Sequence, residues 1–232
     1  MARSTKGGNK SSRTRTHLSP QLTFGYVRRE GHRVGRPKKP GAGIRHGTRQ
    51  ALASRHPVHV VLKLARGLPR LRTKRPYKVL RVCFAKGCDR FGFRLVHYSV
   101  QGDHLHLIVE AKDRTALSRG MAGLSIRIAR GLNRLWKRKG KVFADRYYDH
   151  ILRTPLEVKR ALAYVFNNRD KHREYEPDRD EIDIFSSGMW FDGWRERTIQ
   201  EIGFKVRPPL ARARTWLLKT GWRRHGLLSL AS

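Results

Sequence analysis

The sequence predicts an α+β fold, a ferredoxin-like sandwich in which helices cover an antiparallel sheet and an extra helix follows the last strand. Three observations predict it. Periodic segments between residues 57 and 153 follow the order β-α-β-β-α-β. The two central strands, "FRLVHYSVQG" (93–102) and "HLHLIVE" (104–110), are separated by almost no loop. The segment after the last strand opens with unusually complete helix-start signals.

Taken in order, "HVVLKLA" (59–65) reads as the first strand. In "YKVLRVCFAKGCDRFG" (77–92), Val79, Leu80, Cys83 and Phe84 recur at helical spacing. Between the central strands, Gly102-Asp103 supplies a tight turn or a bulge. A long helix follows, capped by Asp113, with Leu117, Met121, Leu124, Ile128, Leu132 and Leu135 along its apolar stripe. "VFADRYYDHILR" (142–153) reads as the last strand. In the helix over 155–169, Thr154 is the N-cap, Pro155 takes the first helical position and Glu157 closes a capping box. With the first two helices on one sheet face, this extra helix is expected to cover the other.

Charge bounds the function. Against 18 Asp and Glu stand 52 Lys and Arg, a formal net charge of +34, and self-repulsion of that size favours a polyanionic partner, nucleic acid first. The sequence lacks an apolar run of membrane-spanning length, and residues 1–20 lack the apolar core of a signal peptide. Cys83 and Cys88, on different faces of a helix, suit neither a disulfide nor a zinc knuckle, and a cytoplasmic location is expected.

The organisation follows composition. Residues 1–54 read as a disordered basic arm, its first fifty residues carrying thirteen Lys or Arg and one acid, Glu30. Within it, "VGRPKKPGAG" (34–43) resembles an AT-hook suited to the minor groove, and it reads equally as a solvated basic tail. Residues 55–172 form the periodic domain. Residues 173–232 begin with the acidic "REYEPDRDEID", a linker or polar lid, and end in a Trp- and Arg-rich extension whose tryptophans are core residues or base-stacking platforms.

Chemistry concentrates in two places. His104 and His106 alternate onto one strand face, where a buried strand normally carries Val, Ile or Phe; two imidazoles side by side suggest half a metal site or an acid/base pair. On the capped helix, Val158, Leu162, Val165 and Phe166 form the core stripe, and Tyr164 and Asn168 lie one turn apart on its flank. They are either a hydrogen-bonded surface pair or the completion of the histidine site. On the long helix, Arg127, Arg130, Arg134 and Arg138 follow the helical rhythm without acids at i±4, which favours phosphate contact over a merely solvated face.

"HLH" in a strand followed by a helix with Tyr-x-x-x-Asn resembles the single-tyrosine His-hydrophobic-His transposases, in particular the REP-associated tyrosine transposases. The similarity spans roughly residues 55–172 and is carried by "RFGFRLVHYSVQGDHLHLIVE" and "GKVFADRYYDHILRTPLEVKRALAYVFNN". The resemblance implies His104 and His106 as ligands of Mg²⁺ or Mn²⁺, Asn168 as the third ligand and Tyr164 as the nucleophile. It implies DNA nicking and rejoining on single-stranded or hairpin DNA through a 5′-phosphotyrosine, by a monomer or a homodimer. Many relatives follow the tyrosine with an Asn-Pro step; here Asn167-Asn168-Arg169 stands instead, leaving Asn167 as the other candidate ligand. Arg160, one turn before Tyr164, is a candidate for binding the phosphate or activating the phenol.

Tyr147 and Tyr148 are rival nucleophiles, only one of which can face the histidines on an alternating strand. Asp103 is expected to be a turn residue or to support the histidines, and His150 to approach the site. Two other functions compete: a non-enzymatic basic nucleic-acid binder descended from a transposase, and a metal-free endoribonuclease using histidine acid/base catalysis.

Overall fold

The computed structural model describes residues 49–167, 182–196 and 207–230. The AT-hook-like stretch, nearly all of the basic arm, Asn168 and most of the acidic stretch lie outside the described residues.

The elements run β1 (Val58–Lys63), α1 (Lys74–Gly87), β2 (Asp89–Arg90), β3 (Phe93–Val100), β4 (His104–Ala111), α2 (Arg114–Leu135), β5 (Tyr148–Ile151) and α3 (Pro155–Asn167). The sheet is antiparallel in the order β2-β3-β4-β1-β5. Setting β2 aside, this is the strand order of a ferredoxin-like sandwich, as the sequence predicts. Both predicted caps form: the Asp113 carboxylate accepts from Ala116 N at 2.7 Å, and the Thr154 hydroxyl accepts from Glu157 N at 3.2 Å. Two boundaries differ. The last strand holds only Tyr148–Ile151, because residues 142–147 have no continuous partner and touch the sheet through one bridge between Leu64 and Phe143. The helix α1 ends at Gly87, and the chain turns through Phe91 and Gly92, both at positive φ, into the β2–β3 hairpin.

Strand alternation divides the side chains into two cores. Val58, Val60, Leu62, Leu105, Leu107 and Val109 face α1 and α2. There α2 lies so close to β3 that a Cβ on Gly120 would come within 2.2 Å of the Phe93 ring. On the opposite face, Val96 and Ile108 pack against Val158, Leu162, Val165 and Phe166 of α3, so the extra helix covers the second sheet face as expected.

The C-terminal extension belongs to that second layer. A short helix α4 (Trp216–Lys219) and a 3-10 turn (Gly221–His225) place Leu217, Leu218 and Trp222 against α3. Trp194 and Trp222 are core residues, with indole N–H groups donating to Gly188 O and Leu218 O. Trp216, by contrast, is half exposed, with the Arg224 guanidinium 4.8 Å from its ring centroid, and is not a core residue.

Two carboxylates tie the extension to the sheet. Asp183, buried at the end of the acidic stretch, takes a bidentate pair from Arg72 at 2.8 Å and 2.8 Å. Glu110, fully buried on β4, accepts from Arg94, from the backbone N–H groups of Arg214 and Thr215, and from the Thr215 hydroxyl. At the other end, Leu52 is buried in the α1/α2 core and Arg49 stacks 3.7 Å from the Tyr147 ring centroid. The packed domain therefore reaches back at least to Arg49, into the stretch that composition assigns to the arm.

Candidate active site

The sheet register builds the site. On β4, His104 and His106 share the parity of Ile108, so they point to the α3 side of the sheet. β1 lies beside β4 with Lys63 opposite His104, Val61 opposite His106 and His59 opposite Ile108. β5 adds Tyr148 opposite Val61 and His150 opposite His59. The α3 side of the sheet thus carries His104, His106, His59 and His150 in adjoining positions, with His97 of β3 beyond Ile108 against Phe166.

The ring nitrogens of His104, His106 and His59 form a chain that starts at Asp103. The Nδ1 of His104 is 2.7 Å from the Asp103 carboxylate. That hydrogen bond holds the Asp103 carboxyl below the usual carboxylate range and places the His104 proton on Nδ1. The His104 Nε2 lies 3.0 Å from the His106 Nε2, the rings standing at right angles. The His106 Nδ1 lies 3.1 Å from the His59 Nε2. His59 is buried, and that burial lowers its pKa to about 4. Asp103 therefore supports a histidine, one of the two roles expected of it, and Gly102-Asp103 turns the chain so that it can.

α3 brings the phenol. The Tyr164 ring centroid is 5.1 Å from that of His106 and 5.9 Å from that of His59, edge-on in both cases. Burial raises the phenol above its ordinary pKa by desolvating the phenolate. Arg160, one turn before Tyr164 on α3, is exposed.

The donor set suits a divalent ion as far as it is described. Two ligands at right angles on an ion bound at about 2.1 Å lie about 3.0 Å apart, the separation of the two Nε2 atoms. With both rings protonated on Nδ1, two Nε2 lone pairs would face each other there and a cation between them would satisfy both; with the His106 proton on Nε2, the same contact is an N–H···N hydrogen bond. His106 is buried while His104 keeps 17% of its side chain exposed, which leaves an approach for a phosphate. Among the described residues no group of three or more His, Cys, Asp or Glu side chains converges as a metal site. Further ligands would have to be an amide, water or substrate, and the expected one, Asn168, is outside the described residues.

The remaining candidates divide by face. Tyr147 packs against the α1/α2 core, whereas Tyr148 is half exposed on the histidine side, with β1 between it and His106. Arg127, Arg130 and Arg134 line a groove of about 650 Å³ between α1 and α2, floored by Val79, Val82 and Ile126. That groove is across the sheet from the histidines. Arg138 does not continue the row, because α2 ends at Leu135 and Lys137 adopts positive φ. Its guanidinium instead holds Asn133 Oδ1 and Lys141 O in the following turn.

Sequence reasoning missed His59 and Glu110. His59 stands in a recognised strand, but its meaning depends on which residues of β4 lie beside it. Glu110 closes the quoted "HLHLIVE", and a carboxylate with the parity of buried Ile108 was a signal that a partner must exist.

The family model for IS200-like transposases matches residues 53–168, half of the chain and all of the site's elements. The chain belongs to the IS200-like transposase family. Among solved structures, a REP-associated tyrosine transposase bound to a REP hairpin superposes with a TM-score of 0.52 at 15% identity, covering 74% of this chain and 93% of that one. At that identity the match shows the shared fold alone, and that fold is the sandwich expected from the order of the sequence elements. No curated protein matches the sequence. Among the described residues of this transposase, no helix is long and apolar enough to cross a membrane.

Proposed function

We propose that the protein nicks and rejoins single-stranded or hairpin DNA, with Tyr164 as nucleophile and His104 and His106 as two ligands of Mg²⁺ or Mn²⁺. The observation that carries the reading is the pair of facing Nε2 atoms with a phenol ring 5.1 Å from one of the imidazoles. A bound divalent ion supplies charge stabilisation for the non-bridging oxygens of the scissile phosphate. Tyr164 Oη attacks phosphorus in line, losing its proton to solvent, and the bond to the 3′-oxygen breaks. The 3′-oxygen takes up a proton, giving a 3′-hydroxyl and a 5′-phosphotyrosine. A second 3′-hydroxyl reverses these steps and releases the tyrosine. Asp103 holds His104 in the tautomer with a free Nε2, and α3 keeps the phenol beside His106. Asn168 is the proposed third ligand, and Arg160, exposed on α3 one turn before Tyr164, is proposed to bind the DNA phosphate.

The test is a labelled oligonucleotide containing a hairpin, incubated with Mn²⁺ or with chelator and resolved for a covalent protein–DNA band. The band requires the metal, and His104→Ala lowers Mn²⁺ affinity and band yield together by about 100-fold or more. A band that survives chelator sinks the metal assignment. RNA cleavage that survives both chelator and Tyr164→Phe would favour the histidine endoribonuclease, and binding without any cleavage would favour the non-enzymatic binder.

The division of arginines gives a separate expectation. Arg127, Arg130 and Arg134 are proposed to hold phosphates away from the scissile one, since the sheet lies between them and the histidines. Arg130→Ala and Arg134→Ala should each weaken DNA binding and reduce the salt slope of log K by about 1. Cleavage of saturated substrate should be unchanged. A loss of cleavage at saturation would place these side chains in the chemistry instead.

A further inference from the structure

We infer that His59 is a positioning residue that fixes the tautomer and aim of His106, the more buried of the two proposed metal ligands. The inference rests on the metal reading above and deepens it. The geometry is directional: the His106 ring presents Nε2 to His104 at 3.0 Å and Nδ1 to His59 Nε2 at 3.1 Å. An imidazole can offer a lone pair from Nε2 only when its proton is on Nδ1. One proton serves the 3.1 Å contact. With Nε2 committed to the ion, that proton sits on His106 Nδ1 and His59 Nε2 accepts it.

His59 is well built for this task. It is 4% exposed and held opposite Ile108 on one side and His150 on the other. Its ring lies edge to edge and nearly coplanar with that of His106, at 22° with centroids 5.3 Å apart, the alignment of an in-plane N–H···N hydrogen bond. Each proposed ligand then has its own acceptor: the Asp103 carboxylate for partly exposed His104, and an imidazole for buried His106. The difference has a physical reason. A carboxylate beside His106 would be buried with no cation described next to it, whereas Asp103 is exposed and has Lys63 3.9 Å away. His59 also meets the Tyr164 ring edge-on, so the same side chain borders both the ligand and the proposed nucleophile.

The test measures Mn²⁺ binding by calorimetry on the full chain without DNA. His59→Phe keeps an aromatic ring but removes the acceptor, and it should weaken Mn²⁺ binding by about 10–100-fold. His59→Gln offers an amide oxygen and should recover most of that loss. Nitrogen-15 NMR of the wild-type imidazoles, which needs no variant to fold, should find the His106 proton on Nδ1. Wild-type affinity in a folded His59→Phe, or a His106 proton on Nε2, overturns the positioning role alone. If the wild-type chain binds no Mn²⁺ and His104→Ala changes nothing, the metal reading falls and takes this inference with it.

Discussion

Tyr164→Phe should abolish the covalent protein–DNA band, lowering its yield by at least about 10⁴-fold, the scale of losing a nucleophile. The substitution removes one oxygen. The ring contacts to His106 and His59 and the helix that carries them do not depend on it, so fold and Mn²⁺ affinity should remain those of the wild type. Tyr147→Phe and Tyr148→Phe are the controls. Tyr147 lies against the other core, and Tyr148, although on the right face, is separated from His106 by a strand. Both variants should keep the band. A band that persists in Tyr164→Phe and disappears in Tyr148→Phe would move the nucleophile to β5 and end the assignment. Burial raises the pKa of the phenol, so forming the phenolate needs an offsetting positive charge, which the proposed divalent ion would supply.

Glu110→Ala should cost about 3–5 kcal/mol of stability, the usual range for breaking a buried charge pair, and lower the melting temperature by on the order of 10 °C. The carboxylate is fully buried and satisfies Arg94 at 2.9 Å, two backbone N–H groups and a hydroxyl. Its removal leaves Arg94, only 15% exposed, without its partner. It also frees Thr215, whose hydroxyl accepts from Leu218 N at the start of α4. Because Leu217, Leu218 and Trp222 pack on α3, loosening α4 should reach the helix that bears Tyr164. Tryptophan emission should shift to the red as Trp194 and Trp222 become hydrated, and the covalent band should weaken although no residue near the phosphate has changed. Glu110→Gln keeps an acceptor oxygen and should fall between the two. An unchanged melting temperature in Glu110→Ala would show that the extension docks through its apolar contacts alone.

The two sets of residues differ in how visible they are in a linear chain. The caps at Asp113 and Thr154, the alternation of "HLHLIVE" and the stripe of α3 are local: each is decided by side chains within one or two turns, or by the parity of a single strand. The pairing of Tyr164 with the histidines was legible because the family pattern spells it out. Arg138 was misread because helical rhythm continues on paper past Leu135, whereas the chain leaves the helix through Lys137 at positive φ. The strand over 142–153 was read too long for a related reason: alternation indicates that a segment can pair, and only a neighbour with free edge groups determines where it does.

By itself the sequence determined the order of the elements, the shared face of His104 and His106, and a net charge that favours a polyanionic partner, because these depend on period, parity and sums. The tertiary structure alone decided which side chains from distant strands meet. The register of β1 on β4 brings His59 to His106 across 47 residues, and the fold brings Thr215 to Glu110 across 105. It also put the arginine row on the far side of the sheet. Such contacts between distant segments are set by how whole layers pack, and no local preference encodes them.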